Sequence, residues 1–101
     1  MMMIINGKKY DTETAKWRAN DSFLYPDDFR FWDETLYQKR NGEYFLYGKG
    51  GPLTKYAKFV GVTERTSGEK IIPLTIEEAK EWAEKHLEGE EYEEIFGEVE
   101  E

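Results

Sequence analysis

His86 is the only histidine of the chain, and it stands four residues before Glu90, a spacing that puts imidazole and carboxylate on one face of a helix. Two ligands fall short of a metal site, and a histidine near a helix C-terminus more often serves as a partner of the helix dipole, so no metal is expected. Asp27, Asp28, Asp33 and Glu34 are the residue types of a calcium site or of a glycosidase carboxylate pair. They lack the glycine and ligand spacing of a calcium loop, and with 22 Asp+Glu in the chain no pair is diagnostic. Gly48-Lys49-Gly50-Gly51 could cradle a phosphate, but it lacks the spacing of a P-loop or a dinucleotide fingerprint, and a tight strand-to-helix connection accounts for it. Ser22 and Ser67 have no nucleophile-elbow pattern around them, and the absence of cysteine excludes thiolate zinc, iron–sulfur clusters, disulfides and a cysteine nucleophile. The expectation is a non-enzyme without catalytic residues, metal or cofactor.

Two other groups of residues could carry binding. Phe29, Phe31, Trp32, Tyr37, Tyr44, Phe45 and Tyr47 could stack on bases, but Arg30, Lys39, Arg40 and Lys49 beside them are balanced by Asp33, Glu34 and Glu43. Packing of Phe31 and Phe45 in a core and cross-strand pairing of the tyrosines explain the rings better. The second group is acidic. The first 75 residues carry 10 acidic and 12 basic side chains and the rest 12 acidic and 2 basic, so the whole negative excess is C-terminal. Glu77, Glu81, Glu84 and Glu88 advance by 4, 3 and 4 positions, one stripe on a helix, and Glu90, Glu91, Glu93, Glu94, Glu98, Glu100 and Glu101 extend it. Such a stripe is either an ordinary solvated face, in which Glu81 and Lys85 form an i, i+4 pair, or an imitation of a run of phosphates that fits a cationic groove.

The elements that must position these groups follow from pattern and turn chemistry. Met2 to Ile5, Asn6-Gly7 and Lys8 to Tyr10 predict a hairpin with a type I′ turn. Asp11 to Trp17 reads as a short helical turn and Phe23 to Asp28 as a loop. A strand-like run from Phe29 to Lys39, a second I′ turn at Asn41-Gly42 and a return strand over Tyr44 to Tyr47 follow, with Gly48, Gly50, Gly51 and Pro52 breaking that strand. Leu53, Tyr56, Ala57 and Val60 have helical spacing. Val62 to Glu69 reads as a loop or short edge strand, and Lys70 to Leu74 as a strand ending at Pro73, which should lack a ladder partner. Thr75 with Glu78 is a capping box opening an amphipathic helix from Ile76 to about Leu87, and Tyr92, Ile95, Phe96 and Val99 predict a second, shorter helix beyond Gly89.

Length and composition bound the whole. At 101 residues one domain is expected, sheet-rich and near-neutral over 1–75, acidic and helical over 76–101, with a composition that allows its last few residues to be disordered. A net charge of -8 and a pI of about 4.7 disfavour direct nucleic-acid binding and favour a basic partner. No spanning or targeting segment is read and the chain has no cysteine, so a cytoplasmic protein without membrane contact is expected.

Three stretches carry a resemblance: Ile5-Asn6-Gly7-Lys8-Lys9-Tyr10-Asp11-Thr12-Glu13-Thr14-Ala15; Leu36-Tyr37 with Gly42-Glu43-Tyr44-Phe45-Leu46-Tyr47-Gly48; and Ile71-Ile72-Pro73-Leu74 leading into Glu77-Glu78-Ala79-Lys80-Glu81-Trp82-Ala83-Glu84. Together they resemble small acidic proteins of bacterial phages and conjugative elements, some of them anti-CRISPR proteins. The resemblance implies a stoichiometric inhibitor that occupies a nucleic-acid surface of a basic host protein such as an RNA-guided nuclease.

The fold expected is α+β: an antiparallel sheet of two hairpins plus the Ile71 strand, packed by the C-terminal helix through Trp82 and Leu87, with Trp82, Leu74, Ile72, Phe45, Phe31 and Leu36 in the core. The expected partner-binding residues are Glu77, Glu81, Glu84, Glu88, Glu90, Glu91 and Glu94. Two rival functions remain at this point, a nucleic-acid-binding accessory protein using the aromatic sheet and a homodimeric structural module joined at a sheet edge.

Overall fold

The computed structural model describes residues 1–101, and it is α+β: eight antiparallel strands in sheets of two, four and two, with two helices. β1 (Met2–Ile5) and β2 (Lys8–Asp11) form the first hairpin, and its turn is type I′, with φ of 52° at Asn6 and 77° at Gly7. This hairpin is a sheet of its own, a correction to the expectation that it joins the main one.

The main sheet has the order β3-β4-β5-β8, from β3 (Lys16–Phe23), β4 (Trp32–Gln38), β5 (Tyr44–Gly50) and β8 (Gly68–Leu74). β3 corrects the reading of 11–17 as helical. One turn is closed by the Ala15 amide donating to the Asp11 carbonyl at 3.0 Å, and the chain then leaves as a strand. The strand is polar because it is an edge, bulged between Trp17 and Ala19, and buries only Ala19. β4 begins at Trp32, later than expected, so Phe31 lies outside it, half-buried and away from the core clusters.

The β4–β5 connection is not type I′. The Lys39 amide donates to the Glu43 carbonyl at 2.7 Å and the Gly42 amide to the Lys39 carbonyl at 2.9 Å, enclosing three residues of which only Gly42 has positive φ. Nor do the glycines break β5. It runs on to Gly50, because at Gly48 the ring of Tyr56 lies where a Cβ would stand and at Gly50 the side chain of Thr54 does. The helix expected at Leu53–Val60 is absent. Two tight turns (the Thr54 amide to the Gly51 carbonyl, the Ala57 amide to the Thr54 carbonyl) lead into β6 (Lys58–Val60), which pairs with β7 (Glu64–Thr66). β8 continues through Pro73, in register with Phe45, to Leu74; as an edge strand it tolerates a residue without an amide hydrogen.

α1 (Ile76–His86) has the expected capping box, with the Glu78 amide donating to Thr75 Oγ1 and the Thr75 amide to Glu78 Oε1. α2 (Gly89–Phe96) stops short of Val99. Buried Ala79, Trp82 and Ala83 of α1 pack on Ala19, Leu36, Tyr44 and Leu46, with Ile72, Leu74, Leu87, Tyr92, Ile95 and Phe96 around them. The opposite sheet face buries Phe45 and Ile71 under Tyr10 of the first hairpin, with Phe45 edge-on to Tyr10 and stacked on Tyr37. Strands β4 and β5 are thus covered on both faces, which is why apolar residues run without alternation over Tyr44–Leu46.

Candidate functional site

Capping and packing decide which way the C-terminal glutamates face. With Ala79, Trp82 and Ala83 turned to the sheet, Glu77, Glu81 and Glu84 face solvent along α1. Glu88 does not continue their helix: α1 ends at His86, and Glu88 is the N-cap of α2, without a side-chain cap bond. Glu90, Glu91 and Glu94 lie on α2, opposite Tyr92, Ile95 and Phe96, and are exposed. Six of the seven predicted partner-binding residues therefore lie exposed on α1 and α2, and Glu88 is exposed in the connection between them. None of the seven makes a side-chain hydrogen bond or an ion pair; Glu81 and Lys85 form no pair.

The carboxylates that are paired, Asp21, Asp28, Glu34 and Glu43, all belong to the sheet-rich part. Between the helices runs a groove of about 590 Å³, with Ala83, Leu87, Tyr92 and Val99 as its apolar lining and Glu84, Glu90 and Glu93 among its polar residues. The tail is tied back across it, the Val99 amide donating to Glu93 Oε2 at 2.9 Å.

Sequence reasoning missed a polar centre beneath α1. Glu34 is 4% exposed on β4 and faces the helix. Its Oε1 accepts from the Trp82 indole at 2.8 Å, and its Oε2 accepts from the Tyr56 hydroxyl at 2.5 Å and lies 3.0 Å from the Lys55 ammonium. Burial pushes the Glu34 carboxyl up, but the donors Tyr56, Trp82 and Lys55 outweigh it and hold the group below the usual carboxylate range. The Tyr56 hydroxyl is correspondingly pushed up, by burial first and by its bond to the carboxylate second.

His86 does not pair with Glu90. Its Nδ1 lies 2.8 Å from Asp21 Oδ2 on β3 and its Nε2 3.9 Å from Glu34 Oε1, while its ring stacks on Trp82. No group of three side chains is arranged as metal ligands. The sequence carried no local signal for this centre, since Glu34 stands between Asp33 and Thr35 in a mixed strand and its partners Tyr56 and Trp82 are 22 and 48 residues away.

No helix is long and apolar enough to cross a membrane. Comparison with protein-family models, curated proteins and solved structures finds no match to this chain.

Proposed function

We propose that the chain is a non-enzymatic acidic interaction protein of mobile-element origin, which inhibits a basic, nucleic-acid-handling defence protein of the host by offering the carboxylates of α1 and α2 in place of phosphates. The observation that carries this reading is the absence of any internal partner for Glu77, Glu81, Glu84, Glu88, Glu90, Glu91 and Glu94, although the chain holds 14 Lys+Arg. A stable fold has no need to keep seven like charges together, since their mutual repulsion costs stability. Successive helical turns separate such charges by about 5–6 Å, within reach of cations lining a nucleic-acid channel, and association driven this way is fast and weakened by salt.

The aromatic sheet supports the rival reading less. Tyr37 and Phe45 are stacked on each other and Tyr10 covers Phe45, which leaves Trp17 as the strongly exposed ring of that face. The dimer reading is also less supported, since the edge strand β3 is polar and bulged and the edge strand β8 contains Pro73.

The test is capture of bacterial lysate proteins on the immobilised chain, washed at low and then high salt, beside a variant carrying Lys at 77, 81, 84 and 88. A nucleic-acid-handling protein retained at low salt, released at high salt and lost by the variant, and whose activity the wild-type chain inhibits in a purified assay, is the expected result. Capture indifferent to both salt and the four substitutions overturns it.

A further inference from the structure

We propose that the cleft between the β4–β5 loop and the turn preceding β3 is a binding site for a compact polyphosphate, a group with two or more adjacent phosphates such as a nucleoside diphosphate carries. Two adjoining cavities, of about 610 and 410 Å³, meet there and share Thr14, Ala15, Lys39 and Arg40. Around them stand Lys8, Lys9, Lys16, Lys39 and Arg40, five cations against the two carboxylates of Asp11 and Glu43. This excess is built into a chain whose net charge is -8, on the sheet-rich part rather than on the acidic helices. The site is separate from the acidic surface, and the inference stands without it.

The cations are of two kinds. Lys8 and Lys39 are fixed. Both hold Glu43, at 2.7 and 3.2 Å, Asn41 donates to the same carboxylate at 3.0 Å, and the Lys39 ammonium also lies 3.7 Å from the centre of the Tyr10 ring. Three donors depress the Glu43 carboxyl to about 2, so this anchor stays ionised at any physiological pH. An ammonium has three hydrogens, and a carboxylate that takes one leaves the others for a ligand at little further ordering cost. Lys9, Lys16 and Arg40 are the second kind, exposed and without a carboxylate partner. Arg40, the first residue of the loop, lines both cavities with five donors in a fork that fits phosphate oxygens, and the Thr14 hydroxyl adds a neutral donor.

The same features set the class of ligand. No exposed ring lines either cavity, so a base or sugar has nothing to stack on and recognition falls on the phosphates. The local charge favours a multiply charged anion over a single phosphate, and the acidic remainder of the chain repels a long strand, whose further phosphates would lie beyond the five cations.

Titration calorimetry at low salt with inorganic pyrophosphate, then orthophosphate, ADP and a 20-nucleotide single strand of DNA tests this on the full chain. The expected order is pyrophosphate and ADP binding alike, orthophosphate about tenfold weaker, and no saturable binding of the strand. Arg40→Ala and Lys9→Ala, both exposed and without a side-chain hydrogen bond or ion pair within the fold, should each weaken pyrophosphate about tenfold, while Lys58→Ala on the separate β6–β7 hairpin leaves it unchanged. Absence of saturable pyrophosphate binding, an equal loss with Lys58→Ala, or a strand that binds more tightly than pyrophosphate each overturns the proposal, the last in favour of a nucleic-acid surface.

Discussion

The hydroxyl of Tyr56 donates to Oε2 of Glu34 at 2.5 Å, and the hydroxyl end of its ring occupies the space where Gly48 in the neighbouring strand would carry a Cβ. This one contact explains why a glutamate can be buried in β4, why β5 contains glycine where a side chain would ordinarily pack, and why the segment after Pro52 is pressed onto the sheet. A buried carboxylate is tolerated only with its oxygens satisfied, and the chain supplies one donor from the turn at 56, one from α1 and an ammonium from Lys55.

Gly48→Ala should therefore be costly for a reason that lies outside its own backbone. The added methyl would overlap the hydroxyl end of the Tyr56 ring, and displacing that ring also breaks its bond to Glu34, for a loss of about 1–3 kcal/mol. In a Tyr56→Ala background the same substitution should cost much less. Urea unfolding of the two single variants and the double variant measures the difference, and additive costs would show that the ring is not what requires the glycine.

Trp82→Phe removes the indole donor while keeping an aromatic ring in the core. Oε1 of Glu34 is then left without its donor at 4% exposure, a loss of about 1–3 kcal/mol. The Glu34 carboxyl should also titrate at higher pH in the variant, since one of the donors that outweigh its burial is gone. Carbon-detected NMR of the Glu34 carboxyl reads the shift directly; an unmoved midpoint would assign the depression to Tyr56 and Lys55 alone.

What the sequence could and could not convey follows from the range of each cause. Thr75 and Glu78 cap α1 with partners three residues apart, and Asn6-Gly7 joins strands in direct register, so local chemistry sufficed for both. Asn41-Gly42 looks the same on paper, but there Glu43 bonds back to Lys39 and takes the loop to three residues. The helical spacing of Leu53, Tyr56, Ala57 and Val60 was coincidence: Tyr56 is buried by Gly48 and Glu34, while Leu53 is 61% exposed. β3 escaped detection because a bulged edge strand has little reason to alternate. The glutamates of α1 were legible as a stripe, but the helix ends at His86 and leaves Glu88 past it, and the partner that His86 takes there, Asp21, is 65 residues away.

Acid should loosen the first hairpin from the β4–β5 loop. Glu43 is held to about 2 by Lys8, Asn41 and Lys39, against an ordinary glutamate value of about 4.3 in the unfolded chain. A depressed carboxyl contributes stability that is present above the unfolded value and lost as pH falls through the folded one. Chemical shifts of Lys8, Tyr10 and Asn41 should thus change with a midpoint near 2, and Glu43→Gln should abolish the change. A midpoint near 4 would mean that the three donors do not act together in solution.

α2 lacks a basic residue in its last turn, and Arg18 supplies one from across the fold, its Nη2 donating to the Ile95 carbonyl at 3.3 Å. The arrangement has a cost, because Arg18 Nε is buried without a partner and no carboxylate neutralises the guanidinium. Arg18→Met keeps most of the packing, removes the helix-end bond and relieves the unpartnered nitrogen, two effects of opposite sign and similar size, about 1 kcal/mol each. The urea midpoint should accordingly move little, while amide exchange in the last turn of α2 accelerates about fivefold and α1 is unaffected. If the α2 amides exchange as before, the helix is held by Tyr92, Ile95 and Phe96 alone, and Arg18 is a tolerated burden of the bulge that turns it inward rather than the clamp on the acidic helix.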